Sequence, residues 1–302
     1  MQGPRKTSQA FASFFAKSHP VSLPQDAAFD RLRNAFGDAE SVLVCYSGGT
    51  DSALVLAVAH ALLGDRAVGM TAVSPSLAPS ERDEAVALAK EIGARHELVA
   101  SNEIDDESYA KNGADRCFHC KSELYRVAEK KQAEWGLAVT MNGTNTDDLG
   151  DYRPGLEAAK LAGVKSPLVD AGLGKAEVRR LASLLGLRVW DKPAAACLSS
   201  RLPYGTRVTR ERLEQIAAVE ASLRSLGLRQ VRVRWHGLPE DRGAFARVEV
   251  EKTELPLAFE RRDAIVEAGK RAGFLYVTLD LEGYRVGSHN AVLVGKSLRV
   301  VS

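Results

Sequence analysis

Some residues in this chain have the types and spacing to do chemistry. Ser47-Gly48-Gly49-Thr50-Asp51-Ser52 lies between an apolar run, Ser41–Tyr46, and an apolar segment, Ala53–Leu63. Two glycines let the backbone turn sharply and come close to a ligand. A helix starting there aims free N–H groups and the positive end of its dipole at an anion. Ser47 and Ser52 add hydroxyl donors, and Asp51 can orient the loop or help hold a metal. No G-x-x-x-x-G-K-[ST] occurs, so the turn is not a Walker A loop; the plain alternative to a phosphate loop is a strand–turn–helix with glycine for tightness.

The thiols are Cys45, Cys117, Cys120 and Cys197. In Cys117-Phe118-His119-Cys120 the spacing brings two sulfurs within reach of one metal or one disulfide. Cys197, in KPAAACLSSRLPYG, is far away in sequence and supplies a third sulfur. Three cysteines on a [4Fe–4S] cluster leave one iron open, and an open iron binds hydrosulfide; the usual cluster has four Cys ligands. The plain alternative is buried, redox-inert thiols. Cys45, inside the apolar run, reads as a small hydrophobe, and His119 as a surface or packing histidine.

Gly143-Thr144-Asn145-Thr146-Asp147-Asp148 follows a strand-like segment, where α/β sheets place ligand-binding loops. Gly143, Asp147, Asp148 and Asp151 are candidates for contacting a nucleotide or Mg²⁺; a solvated acidic turn is the alternative. Arg153 is a phosphate candidate. Arg201, four residues after Cys197, offers a bidentate fork suited to phosphate. Arg232 and Arg234 repeat at the two-residue period of a strand and make a phosphate-binding pair on one face. Glu249 and Glu251 share a face in the same way. Lys175, at the start of a helix, reads as a surface residue.

The elements that must position these residues follow from periodicity. Strands are expected over 41–46, 67–73, 95–100 and 138–142, with helices over 26–36, 53–63, 81–92, 120–136, 156–161 and 175–186, and a short extended piece at 188–190. This alternation predicts an α/β fold, a doubly wound parallel sheet covered by helices on both faces. Ser199–Val208, with Pro203 and Gly205, reads as a linker. Beyond it come a helix over 209–226, half-exposed strands over 230–235 and 246–250, a helix over 254–272 and a strand over 274–281. That order predicts a smaller C-terminal α+β domain over 209–302.

The chain has 302 residues, about two domains at roughly 150 residues each. Apolar residues make up 45% and charged residues 26%, as in a soluble globular protein. Lys and Arg number 41 against 39 Asp and Glu, leaving +2, so no charge excess advertises nucleic acid or a membrane surface. Four cysteines are too few for a disulfide framework at this length and fit a reduced, cytoplasmic setting. The N-terminal residues lack the apolar core of a secretory leader, and no run is long and apolar enough to span a bilayer.

SGGTDS after an apolar strand resembles the PP-loop of the ATP-pyrophosphatase superfamily. That likeness implies ATP binding, pyrophosphate release and transfer of AMP to an acceptor oxygen, which a nitrogen or sulfur nucleophile then displaces. RCFHCKSELY, GTNTDDLGDYRPGL, KSPLVDAGLGKAEVRRLASLLGL, WDKPAAACLSSRLPYG and DLEGYRVGSHN together resemble the LarE family of ATP-dependent sulfur transferases, from about residue 40 to 290. The resemblance implies a PP-loop sulfur transferase domain over 1–200, with Ser47, Gly48, Gly49, Asp51 and Ser52 on ATP. It implies adenylylation of the carboxylates of pyridinium-3,5-biscarboxylic acid mononucleotide, in the biosynthesis of the nickel-pincer cofactor, with sulfur then replacing AMP. Cys197 stands at the family's sulfur-carrying position. In one branch that cysteine gives up its own sulfur and becomes dehydroalanine. In another, three cysteines hold a [4Fe–4S] cluster that supplies sulfide. Having CxxC as well as Cys197, this sequence points to the cluster branch, with Cys117, Cys120 and Cys197 as ligands.

The implied cofactors are thus ATP, Mg²⁺ and the cluster. The implied partners are the pyridinium mononucleotide and a second copy of the chain, with neither membrane nor nucleic acid. The rival readings are a tRNA-thiolating PP-loop enzyme, an amidating ligase that leaves the cysteines idle, and a non-catalytic nucleotide- or cluster-binding regulator.

Overall fold

The computed structural model describes residues 23–150, 154–193 and 196–285. The N-terminal residues read for a leader, together with Asp151 and Arg153, lie outside these. The described residues fall into two compact units. One takes the chain up to Ser74, Pro79–Glu103 and the stretch from Asp115 to 193. The other takes Pro75–Ala78, Ile104–Ala114 and the stretch from Ala196 onward.

The first unit is built on four parallel strands, β1 (Val42–Cys45), β2 (Ala67–Val73), β3 (Arg95–Ala100) and β4 (Val139–Met141), in the order β3-β2-β1-β4. Its longer helices are α1 (Ala27–Phe36), α2 (Thr50–Leu63), α3 (Pro79–Ile92), α4 (Arg116–Glu134), α5 (Pro154–Leu161) and α6 (Lys175–Leu184). Successive side chains on β1 alternate between two cores. Val42 and Val44 join residues of α1, α2, α3 and α6 in the main core. Leu43 packs with Met70, Val127 and Ala128, the last two from α4. Both faces of the sheet are therefore covered, as the alternating pattern requires.

Strand order reverses between β1 and β4, so the loops after these two strands open a crevice at the C-terminal edge of the sheet. Residues 188–190, expected to be extended, form a turn instead. Arg188 binds Glu91 at 3.0 Å and Glu84 at 3.1 Å, and Lys192 binds Glu81 and Glu84 at 2.7 Å each. These ion pairs fasten the turn to α3, and the Val189 carbonyl accepts from Thr50 Oγ1 at 2.5 Å.

The second unit carries α7 (Arg210–Ser225), β5 (Val231–Gly237), β6 (Ala244–Val250), α8 (Leu255–Glu260), α9 (Arg262–Arg271) and β7 (Tyr276–Leu279). β5 and β6 are antiparallel, while β6 and β7 are parallel. The helix expected over 254–272 is broken at Arg261, which ends α8 and precedes α9. β5 is buried on both faces rather than half-exposed, because its arginine side is covered by its own ion pairs. Residues 199–208 are packed rather than a loose linker. Fully buried Asn112 donates to the carbonyls of Pro203 and Thr206, at 2.8 and 3.0 Å. The Val208 N–H donates to Ala110.

Among the described residues, no helix is long and apolar enough to cross a membrane.

Candidate active site

In the first unit the site grows from the turn between β1 and α2. Gly48 adopts φ +73°, and a Cβ there would lie 2.9 Å from the Cα of Ala85. Gly49 caps α2 with an extended φ of −81°; the nearest atom to a Cβ at this position is Ser47 Oγ, at 3.5 Å. The protein itself therefore requires a glycine at 48, and leaves the space before Gly49 open. Ser47 Oγ and Ser52 Oγ stand 3.1 Å apart, and the Ser47 N–H donates to Ser52 Oγ at 3.2 Å. The hydroxyls thus bridge the base of the loop.

The loop after β4 closes on this turn. A Cβ on Gly143 would lie 2.7 Å from the Ser52 nitrogen, so only glycine lets the two backbones touch. Asn145 Nδ2 donates to Asp51 Oδ1 at 3.1 Å, and Lys175 Nζ reaches Asp51 Oδ2 at 2.5 Å. Asp148 accepts the Asn145 N–H, and Asp147 accepts the Lys175 N–H, at 3.1 and 2.9 Å. The carboxylates at 147 and 148 thus hold backbone, and α6 begins at the crevice. Lys175, expected as plain surface, pairs with Asp51 instead. Its signal was its place at the head of α6; its partner lies 124 residues away.

The expected helix begins at Cys120, with Cys117 just before it. Both cysteines lie inside α4, which starts at Arg116 after the N-cap Asp115. Three residues apart, they share one side of its first turn. Cys117 is exposed, Cys120 is half-buried, and neither is in a disulfide. Cys45 packs beside Tyr125, Ala158 and Ala159, and burial pushes its thiol up to about 12, as suits a structural thiol.

In the second unit Cys197 is exposed and heads a short helical turn, Leu198–Arg201. Arg201 is buried beneath it. Its Nε donates to Glu220 Oε1 at 2.8 Å, and its Nη1 donates to the carbonyls of Ala196 and Cys197 at 2.6 and 2.9 Å. This fork is therefore occupied by protein. Glu220, fully buried, also accepts from Val233 N–H and Arg224. Burial alone would push its carboxyl up; Arg201, the Val233 N–H and Arg224 outweigh that and hold it below the ordinary range.

Arg234 donates twice to Glu249 Oε2, at 3.0 and 2.8 Å, and to the Ser200 carbonyl at 3.0 Å. Arg232 lies over the Tyr284 ring at 5.3 Å. Burial, then the nearby charges of Arg201 and Arg234, lower its proton affinity. Arg247 adds ion pairs to Glu249 and Asp280. Among the described residues, guanidinium groups outnumber carboxylates in this cluster. Glu251 is exposed and shares none of these pairs.

Among the described residues, no group of three or more His, Cys, Asp or Glu side chains is gathered to hold a metal ion. The soft thiols of Cys117 and Cys120 are nevertheless the donor type that iron–sulfur clusters use.

No protein-family model matches the chain. It is 44% identical over 270 residues to an uncharacterized protein of Synechocystis sp., covering 89% of this chain and 98% of that one. It is 37% identical over 265 residues to the pyridinium-3,5-bisthiocarboxylic acid mononucleotide synthase of Lactiplantibacillus plantarum, covering 87% of this chain and 94% of the synthase. An uncharacterized protein of Methanocaldococcus jannaschii is 26% identical over 246 residues, covering 82% of this chain and 91% of that protein. With a parallel α/β sheet, a phosphate-type loop at its switch point and this full-length likeness to the synthase, the chain belongs to the LarE family of ATP-dependent sulfur transferases.

Proposed function

We propose that the chain converts the carboxylates of pyridinium-3,5-biscarboxylic acid mononucleotide to thiocarboxylates. The observation that carries this reading is the 37% identity to the named synthase, spread over 94% of its length. A substrate carboxylate oxygen attacks the α-phosphorus of ATP, the bond to pyrophosphate breaks, and an acyl adenylate forms. Sulfur then attacks the acyl carbon and AMP leaves. The N–H groups at the start of α2 hold the triphosphate, Mg²⁺ enters with the nucleotide, and Lys175 adds positive charge beside Asp51. Arg232 and Arg234 hold the phosphate of the mononucleotide. Arg201, its own fork occupied, fixes the backbone that carries Cys197.

In this reading Cys117, Cys120 and Cys197 hold a [4Fe–4S] cluster, whose open iron would supply bound sulfide. A second reading is supported by the exposure of Cys197. There the Cys197 thiolate forms a thioester as AMP leaves. Elimination across its Cα–Cβ bond then releases the thiocarboxylate and leaves dehydroalanine. The chain also acts as a homo-oligomer, a reading supported by the exposed Phe259, Tyr276 and Leu281 in the second unit; sedimentation tests it.

The deciding experiment incubates anaerobically purified protein with ATP, Mg²⁺, sulfide and the pyridinium dicarboxylate nucleotide. Mass spectrometry follows both the product and Cys197. Thiolated product with Cys197 intact supports the cluster reading, and loss of one sulfur mass from Cys197 supports the sacrificial one. Absence of AMP with this substrate overturns both.

A further inference from the structure

α4 carries a feature that the proposed reaction has not used. Cys117, Lys121 and Tyr125 recur every four residues and so form one stripe along the helix, and Cys120 shares the first turn with Cys117. Cys45, at the end of β1, packs against the same patch as Phe118 and Leu124 of α4. The first turn of α5 is notched for the lysine. A Cβ on Gly155 would lie 2.9 Å from Lys121 Cγ, and 3.7 Å from the Cys117 carbonyl oxygen.

The groups whose charge acts on the Lys121 ammonium are Tyr125, Cys120, Cys45 and Cys117. No carboxylate is among them. Among the described residues Lys121 makes no ion pair and no side-chain hydrogen bond, although neighbours on α4 do, as Arg126 does with Glu123. The phenol of Tyr125 and the thiol of Cys45 are both pushed up by burial and stay neutral. Part of the side chain reaches solvent, while burial opposes the charge of its ammonium, a cost that an anion beside it would offset. Among the described residues, the ammonium has only sulfur and phenol groups around it and a glycine notch to seat its stem, which suits it to receive an anion.

We propose that Lys121 is the anion-holding group of the CxxC site, binding hydrosulfide beside Cys117 and Cys120. This rests on the reading that the transferred sulfur passes through those cysteines. The role is binding, with no covalent step at the lysine. The ammonium raises the local concentration of the monoanion and orients it toward the thiols. Lysine suits this better than arginine because it is a compact point charge rather than a planar fork.

The test uses the full chain, freed of metal, with azide as an unreactive monoanion. Protection of Cys117 and Cys120 from iodoacetamide is followed by mass spectrometry at constant ionic strength, against a chloride control. Lys121→Met should raise the azide concentration for half-protection about tenfold, the scale of one lost charge-assisted hydrogen bond, and Lys121→Arg should restore most of it. Lys121→Gln, checked by circular dichroism, guards against a folding defect. In turnover with sulfide, Lys121→Met should raise KM for sulfide more than it lowers kcat. Equal azide protection in wild type and Lys121→Met overturns the proposal. Full sulfide-dependent turnover in Cys117→Ser/Cys120→Ser overturns the reading beneath it, and does so without touching the azide result.

Discussion

Arg201 Nη1 donates to the Cys197 carbonyl at 2.9 Å while its Nε is held by Glu220 at 2.8 Å. The backbone that carries the exposed thiol is thus tied to a carboxylate on α7. Glu220 is fully buried, and Arg201 nearly so. Removing one partner of a buried pair strands the other charge and costs about 3–5 kcal/mol.

Glu220→Ala should therefore lower stability by about that amount in urea unfolding. The pH dependence has a definite sign. The folded carboxyl of Glu220 lies below its ordinary value, so its contribution is complete above the ordinary carboxylate range and is lost as pH falls through the folded value. Wild-type stability should decline with acid through that window. Glu220→Gln should start lower and decline less. Parallel declines in the two proteins would remove Glu220 as the source.

The paired glycines at the head of α2 should separate folding from binding. Gly48 combines φ +73° with a Cβ position only 2.9 Å from Ala85. Gly48→Ala should destabilise by at least ~1–2 kcal/mol, the cost of the left-handed backbone alone. Gly49 has an ordinary φ and no protein atom nearer than 3.5 Å. Gly49→Ala should keep stability within about 0.5 kcal/mol of wild type and weaken ATP binding. Calorimetric unfolding and ATP titration on the same samples decide it. Unchanged ATP affinity in Gly49→Ala would mean that no ligand approaches this face.

Lys175 and Asp51 call for a double-mutant cycle. Both side chains are partly exposed, at 32% and 24%, so breaking the pair should change stability by no more than about 1 kcal/mol. The rate of pyrophosphate release should fall far more in Lys175→Met than stability suggests. Asp51→Asn keeps the hydrogen-bonding shape and should lose less. Pyrophosphate release that tracks stability in both variants would reduce the pair to a structural role.

Much of the first unit could be read from sequence because its signals are local. An apolar β-branched run followed by two glycines and an apolar segment specifies strand, tight turn and helix within a few residues. The contacts that complete the site are not local. Lys175 reads as surface because it opens a polar helix, and only the packing of α6 at the crevice brings it to Asp51. Arg201 reads as a free fork because nothing nearby in sequence reveals Glu220, nineteen residues on. Periodicity starts α4 at Cys120 rather than Arg116 because Cys, Phe and His are weak helix formers; the contact of its first turns with Gly155 of α5 is not visible in the sequence. Arg188–Trp190 looked like a strand until its ion pairs to α3 folded it into a turn.

The thiols themselves should sort by environment. Cys117 and Cys197 are exposed, Cys120 is half-buried, and the Cys45 thiol is raised to about 12 by burial. The thiolate is the reactive form, and at pH 8 the Cys45 thiolate is a negligible fraction. Brief iodoacetamide treatment of metal-free protein at pH 8 should label Cys117 and Cys197 first, then Cys120, with Cys45 labelled only after denaturation. Cys45→Ala should leave that order unchanged, since Cys45 fills space between β1 and α4 and carries no sulfur in the proposed transfer. Early labelling of Cys45 in the native protein would show that β1 opens at its end. It would also bring a third reactive sulfur to the CxxC site, and peptide mapping over a time course would detect it directly.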